Sequence, residues 1–359
     1  MSTFILYGAT GYTGVLLAEE AARRGHRPLL AGRNAQKLRA LGERLNLPWK
    51  AVGLEDGPGL RALLTGAGAV LHAAGPFVDT SRPMADACLD VGCSYLDITG
   101  ELPVFEALFA RDAEAKAKKV ALIPGVGFDV VPSDCLCAFV AAKLPGAATL
   151  ELALAAIGQP SAGTAKSVVG LLPNGGWVRR GGVLVAHPLG KGVHPVRFSH
   201  RELQAMPAPI ADLVTAWHST SIPDITVSLA VPGGVARSLK LLWPLGVATQ
   251  PLLARLLRAP ALRTRLDAAI EKRTRGPDEA GRAQGRSYLY ARVSTKAGAA
   301  AEGWLETAEG YDFTRHAAIS AVEQVLARRP VGALSPSQAF GVDFVLGVPG
   351  TKRLDALGG

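Results

Sequence analysis

Phe4-Ile5-Leu6-Tyr7-Gly8-Ala9-Thr10-Gly11-Tyr12-Thr13-Gly14 is the stretch that decides the fold. Four apolar residues in a row fit a strand buried on both faces, and the run stops at Gly8. Gly11 to Arg24 then reads as a helix, with Val15, Leu16, Ala18, Ala21 and Ala22 on or near one face. A strand, a glycine turn and a helix, with glycines spaced G-x-x-G-x-x-G, open a βαβ unit that cradles phosphate. One glycine serves the tight turn. Another lets the backbone touch a pyrophosphate, and a third lets the helix pack on the strand. The free N–H groups at the helix start point at the phosphates, and the helix dipole favours their negative charge. Gly8, Thr10, Gly11, Tyr12, Thr13 and Gly14 are therefore expected to hold a dinucleotide. A glycine turn that only permits close packing is the competing reading.

The end of the second strand reads Ala31-Gly32-Arg33-Asn34, with Arg33 nineteen residues after Gly14. An NAD site wants an acid there, for the ribose 2′-OH, and none is present. A guanidinium can fork onto a 2′-phosphate and stack on adenine. Arg33 and Asn34 thus point to NADP. Asn34 also suits the cap of the helix that follows, whose Leu38, Leu41 and Leu45 sit at i, i+3 and i+7.

Further strands are expected at Pro28–Ala31, Trp49–Leu54, Ala69–Ala74, Ser94–Ile98 and Val120–Ile123, with helical stretches between them. This alternation predicts a Rossmann-type, doubly wound parallel sheet over residues 1–131. The character changes near Pro132. A helix is expected from Ser133 to Lys143, then strands at Thr149–Ile157, Val183–Ala186, Val193–Phe198, Ile225–Val231 and Ser287–Ser294. The fold class is α/β, with a second α+β domain over residues 132–330 built on an open mixed sheet. Residues 331–359 are expected to return to the first domain, through a helix opened by the capping box Ser335-Pro336-Ser337-Gln338.

Open α/β sheets bind ligands beyond the carboxyl ends of their strands. The fourth strand ends at Ala73-Ala74-Gly75-Pro76, and Ala74, Gly75 and Pro76 are small enough to let a nicotinamide ribose approach the backbone. The fifth and sixth strands lead to Glu101 and Asp129. These are the carboxylates best placed for proton transfer or substrate orientation. Their competing roles are a helix cap for Glu101 and a loop-fixing Asp129. No H-E-x-x-H, paired C-x-x-C or G-x-S-x-G occurs, so no metal site and no hydrolase elbow are expected. None of the six tyrosines has a Lys four positions on, so the Tyr-Lys pair of short-chain dehydrogenases is missing. His187, His194 and His200 read as surface or core residues that could instead face substrate.

The chain has 359 residues, 48% of them hydrophobic, which excludes disorder and favours two domains. Four cysteines cannot form a disulfide scaffold, and no basic segment precedes an apolar run at the N-terminus. A cytoplasmic protein with free thiols is expected. The net charge of +9 owes much to Arg255–Arg286, where nine Lys/Arg face four Asp/Glu. That stretch reads as a solvated helical surface. No aromatic-interleaved motif accompanies it, so nucleic acid is not an expected partner. Leu239–Leu257 is apolar but carries Lys240, Pro244, Pro251 and Arg255, which argues against a spanning helix. Core or dimer contact, or a peripheral lipid contact, would use it instead.

Several of these motifs occur together and in order: Gly8–Gly14, Ala31–Arg33, Ala74–Phe77, Tyr95–Glu101 and Gly127–Asp134. The set resembles the saccharopine dehydrogenase-like oxidoreductases, and within them the trans-acting enoyl reductase branch. Ser161-Ala162-Gly163-Thr164 with Ser167 resembles that branch's S-G-G-T-x-x-S element, with Ala162 in place of one glycine. Gly310-Tyr311 before the helix at Thr314 fits as well. The resemblance implies a pyridine nucleotide, an inserted sheet domain for substrate and dimer contacts, and a homodimer. It implies hydride transfer to the β-carbon of an enoyl thioester or to an imine. The small-molecule or acyl-carrier-linked substrate is expected to be apolar. An imine or amino-acid oxidoreductase and a non-catalytic NADP sensor are the alternatives.

Overall fold

A computed structural model describes residues 4–157, 176–188, 190–241, 243, 255, 259, 264–266, 268–269 and 279–357. Contacts divide the chain into two units, one of residues 1–131 and 311–349, the other of residues 132–310 and 350–359. Residues 311–330 therefore fall with the first unit, where the sequence pattern suggested the second. Residues 350–359 fall with the second unit, where it suggested the first.

The first unit alternates β1 (Phe4–Tyr7), α1 (Tyr12–Arg23), β2 (Leu29–Gly32), α2 (Ala35–Leu45), β3 (Trp49–Ala51), α3 (Gly57–Leu64) and β4 (Ala69–His72). It continues with α4 (Phe77–Val91), β5 (Ser94–Asp97), α5 (Leu102–Phe109), α6 (Asp112–Lys118) and β6 (Ala121–Ile123). The sheet order is β3-β2-β1-β4-β5-β6-β15, every pair parallel, with β15 at Gly332–Ala333. The Rossmann-type sheet is thus present, with a short seventh strand that its two residues were too few to announce. β1, β4 and β5 are buried at every position. Burying each such leucine side chain contributes about 2 kcal/mol. The order reverses between β1 and β4, and that switch point is where open α/β sheets take ligands.

After β15, Ser335 Oγ accepts from Gln338 N while Gln338 Oε1 accepts from Ser335 N, and the helix Pro336–Phe340 follows. The longer helix Gly310–Arg328 buries Phe313, Ala317, Ile319, Val322 and Val325. It is bound to α1 through charge. The Glu20 carboxylate, fully buried, accepts from Arg23, from Arg24 at 2.6 Å and from His316 Nδ1 at 2.9 Å. Burial by itself would raise the Glu20 carboxyl. The fork from Arg23 and the single bond from Arg24 outweigh it, with His316 and the charge of Arg24 adding, and bring it down to about 2.

The second unit begins with α7 (Val131–Lys143) and holds β7 (Thr149–Ile157), β8 (Gly176–Arg180), β9 (Val183–His187), β10 (His194–Arg197), β11 (Glu202–Pro207), β12 (Asp224–Val231), β13 (Arg286–Ser294), β14 (Ala300–Ala308) and β16 (Lys352–Leu354). The order β10-β11-β12-β7-β13-β14-β16 is mixed, since β12 and β7 are parallel and their neighbours antiparallel. Leu150, Leu152, Leu289, Ala291 and Val293 make its buried face. α7 lies close on that sheet because Gly303 has no side chain: a Cβ there would stand 2.8 Å from Val140 Cγ2. The element Ser161–Thr164 with Ser167 and most of Leu239–Leu257 and Arg255–Arg286 lie outside the described residues. No described helix is long and apolar enough to cross a membrane.

Candidate functional site

The glycine turn stands at the switch point. Gly8 has φ +83°, and a Cβ on it would meet the Ala73 carbonyl carbon and Ala74 N at 2.7 Å each. Gly14 is as constrained, since a Cβ there would stand 2.2 Å from Gly8 O. Two of the three glycines are therefore required by the protein's own packing. Gly11 is different. The nearest atom to a Cβ at Gly11 is Gly8 O at 3.5 Å, an ordinary contact, and the residue is exposed. Gly11 also caps α1 without a side-chain bond, and the first turn holds no acid. The positive end of α1 is left to an outside anion.

Arg33 is exposed at the end of β2, and among the described residues its guanidinium has no hydrogen-bond or ion-pair partner. Asn34 Oδ1 accepts from Lys37 N at 2.9 Å and caps α2. An open Gly11, an uncapped helix start and an unpaired Arg33 fit a dinucleotide with a 2′-phosphate.

Ala74, Gly75 and Pro76 link β4 to α4, and Gly75 and Pro76 are exposed. The linker is tied at both ends. Thr80 Oγ1 contacts Ala74 O at 2.7 Å and Pro76 O at 3.0 Å. Its one proton goes to those carbonyls, so it accepts from His72 Nε2 at 3.1 Å. His72 is wholly buried, and burial lowers its pKa to about 3, so the ring is neutral.

Glu101 reaches the same linker. Its two oxygens accept from Phe77 N at 3.0 Å and Val78 N at 2.8 Å, the first N–H groups of α4. The sequence pattern offered it as a proton-transfer group or a helix cap, and its geometry is that of a cap. Asp97, which the pattern did not single out, is the hub of this region. It accepts from Tyr95 OH at 2.6 Å, Thr99 N at 3.0 Å and Gly125 N at 2.8 Å, joining the ends of β5 and β6. Burial pushes its carboxyl up to about 6 against those bonds. The run Asp97-Ile98-Thr99 carried a signal for this, as an Asp two residues before a Thr can close an Asx turn.

Asp129 is the carboxylate left uncommitted. Among the described residues no donor bonds it, and its Oδ2 lies 2.8 Å from where a Cβ on Gly100 would be. The protein mass around it, then the charge of Glu101, push its pKa up to about 6. The side chain keeps open surface, so water relieves part of that rise. A carboxyl of this kind can hold a proton near neutrality and give it up.

The remaining candidates are committed elsewhere. His200 stacks on Tyr288 with ring centroids 3.7 Å apart. His187 and His194 contact the carbonyls of Lys191 and Gly192, and line a cavity of about 220 Å³ with Glu151, Arg180 and Tyr290. The four cysteines are buried and in no disulfide, and burial raises the Cys88 and Cys137 thiols out of reach of ionisation. No described cluster of His, Cys, Asp or Glu could hold a metal ion.

The family model of the saccharopine dehydrogenase NADP binding domain matches residues 4–123. Among curated proteins the chain is similar to a trans-acting enoyl reductase of Mycobacterium ulcerans, 32% identical over 143 residues, 36% of this chain and 33% of that protein. A trans-acting enoyl reductase of Mycobacterium tuberculosis is 35% identical over 144 residues, again 36% of this chain and 33% of that one. The chain thus matches about one third of the length of these relatives. Among solved structures it is similar to apo saccharopine dehydrogenase (L-Glu forming) from Saccharomyces cerevisiae, with a TM-score of 0.64 at 11% identity, covering 99% of this chain and 100% of that one. At that identity the likeness is one of fold. Residues 4–123, with the exposed Gly11 of their glycine turn and an Arg33 unpaired among the described residues, match a saccharopine dehydrogenase NADP binding domain, and that match makes NADP the cofactor.

Proposed function

We propose that this protein is an NADP-dependent oxidoreductase that reduces a C=C bond conjugated to a thioester in an apolar, acyl-linked substrate. The observation that carries the nucleotide site is Gly11: the protein's packing does not need a glycine there, and an incoming pyrophosphate does. The similarity to proteins named trans-acting enoyl reductases supports the substrate class.

Gly8, Thr10, Gly11, Tyr12, Thr13 and Gly14 would hold the pyrophosphate through backbone N–H groups, and Arg33 with Asn34 the 2′-phosphorylated ribose. Ala74, Gly75 and Pro76 would line the nicotinamide ribose. When bound, NADPH supplies a hydride. Reduction of an enoyl thioester at its β-carbon leaves negative charge on the thioester oxygen and needs a proton at the α-carbon. Asp129 is the group that handles that proton. Glu101 acts at one remove: by capping α4 it keeps the 74–76 linker in place, and its charge keeps Asp129 protonated to higher pH.

Titration with NADPH and with NADH, followed by nicotinamide fluorescence, tests the nucleotide site. NADPH is expected to bind at least ten-fold tighter than NADH, and Arg33→Asp to abolish that preference. A wild type that binds neither nucleotide ends the proposal. Consumption of NADPH with a pantetheine-linked enoyl thioester then tests the reaction. Turnover of a cyclic imine in its place would favour an amino-acid oxidoreductase.

A further inference from the structure

The loop that carries Asp129 is held from two directions. From β5, Asp97 takes Gly125 N on its carboxylate and Val126 N on its carbonyl, each at 2.8 Å. From a segment far along the chain, Thr314 Oγ1 accepts from Phe128 N at 3.0 Å. Thr314 is nearly buried and sits in the second turn of the helix Gly310–Arg328. Gly127 makes the approach possible, since a Cβ there would meet Thr314 Cγ2 at 3.0 Å. Phe128 packs edge-on against Phe313 with centroids 6.0 Å apart. One turn earlier, at the i−3 position on the same helix face, Tyr311 packs edge-on against Tyr12 of the glycine turn at 5.0 Å. One helix face thus touches both the phosphate turn and the residue next to Asp129.

We propose that Thr314 is a positioning residue that sets where the Asp129 carboxyl stands. The Phe128 N–H lies in the Gly127–Phe128 peptide, one residue before Asp129, so the Thr314 bond pins the chain at the residue that precedes Asp129. Without that bond the loop keeps its anchor at Gly125 and its closure from Val131 N to Gly127 O at 3.0 Å, but Phe128–Asp129 can rotate between them. The carboxyl then leaves its contact with Gly100 and moves toward water. The charged group that acts on it is Glu101, at the start of α5; the two elements that hold its loop also carry Asp97, at the end of β5, and the Asp312–Arg315 ion pair, on the helix that bears Thr314. The inference rests on the reading that Asp129 handles the proton.

The carboxyl itself supplies a readout that needs no substrate. Protein labelled with ¹³C-aspartate is titrated by NMR, and the Asp129 signal is assigned by its loss in Asp129→Asn. The wild-type signal is expected to titrate above the ordinary aspartate range. Thr314→Val, which keeps shape and removes the acceptor, should lower that midpoint by about one pH unit or more. Thr314→Ser, which restores a hydroxyl, should return it. NADPH affinity within two-fold of wild type shows that the valine variant is folded. If it does not fold, Gly127→Ala displaces the same contact and is expected to lower the midpoint likewise. An Asp129 midpoint unchanged in whichever of the two folds overturns the inference. Turnover of the enoyl thioester that survives in Asp129→Asn instead overturns the catalytic reading of Asp129 and leaves the positioning result standing.

Discussion

Gly11 and Gly14 are the same residue type, three positions apart, and owe their identity to different causes. A Cβ at Gly14 would stand 2.2 Å from a backbone oxygen, and the backbone must move to admit it. Gly14→Ala is expected to destabilise the protein by about 1–3 kcal/mol in urea unfolding. Gly11→Ala meets no such wall and is expected to cost at most about 1 kcal/mol, from the poorer cap. It should nonetheless weaken NADPH binding at least ten-fold, because the methyl occupies the pyrophosphate's path. A Gly11→Ala protein with native affinity would show that the turn is only a packing device. His72 is a further single-residue test. Its folded pKa near 3 lies below the unfolded value of 6.5, so the unfolded chain takes up a proton first as pH falls. Its share of stability is present above about pH 6.5 and lost between there and pH 3. The expected slope is up to about 1.4 kcal/mol per pH unit. Asp97 and Asp129, with raised values, act in the opposite sense between their unfolded and folded pKa values. The difference between wild type and His72→Gln, measured by chemical unfolding from pH 7 to pH 4.5, isolates the histidine. Parallel curves would contradict the buried, neutral assignment.

At the scale of elements, the contact between α1 and the helix Gly310–Arg328 carries a cluster of charge beside the Tyr12–Tyr311 ring contact. Glu20 gathers Arg23, Arg24 and His316, while Glu323 pairs with Arg24 and with His26 at 2.7 Å. Removing one member of a buried set leaves the others uncompensated, so Glu20→Gln is expected to cost on the order of 3 kcal/mol. The Glu20 carboxyl is lowered from 4.5 to about 2, so its stabilisation is complete above pH 4.5 and lost as pH falls toward 2. The glutamine variant should lack that acid-limb loss, which unfolding measured at pH 5 and pH 3 will show. Element boundaries were legible where period and caps agreed. The Asn34 cap and the Ser335 capping box are both formed. β14 was not legible, because Ala300-Ala301-Glu302-Gly303 has little strand propensity of its own. It is a strand because it pairs with β13 from Ala300↔Ser294 to Ala308↔Arg286.

At the scale of the whole molecule, the first unit is discontinuous in sequence. Residues 1–131 hold the first six strands and the glycine turn, but residues 311–349 supply the seventh strand, the partner of Glu20 and the Thr314 bond. The fragment 1–131 alone is expected to lack fixed tertiary structure and to bind NADPH weakly or not at all. The same fragment joined to residues 311–349 through a short Gly/Ser linker is expected to fold. Near-ultraviolet circular dichroism and NADPH fluorescence separate the outcomes, and a well-folded fragment 1–131 would refute the dependence. The sequence could hint at this division only weakly. The helix near Thr314 shows its period, but period says which face is apolar and not which domain that face meets.

What the sequence determined by itself is local: the strand–glycine–helix opening, the parallel alternation that follows, the missing acid and the Arg33 in its place. Each is a matter of neighbours in the chain, where backbone sterics and side-chain period act directly. What only the tertiary structure decided is how distant side chains share out their hydrogen bonds. Glu101 and Asp129 look alike in sequence, two acids after two strands. The fold gives one of them the two N–H groups at the start of α4, and sets the other beside Gly100 with no donor among the described residues. A carboxylate that takes two N–H donors serves as an anchor, whereas one that lacks donors and is crowded by like charge keeps its proton longer. That difference arises from contacts between residues 23 and 24 positions apart, and for Thr314 and Phe128 from residues 186 apart, which no local pattern encodes.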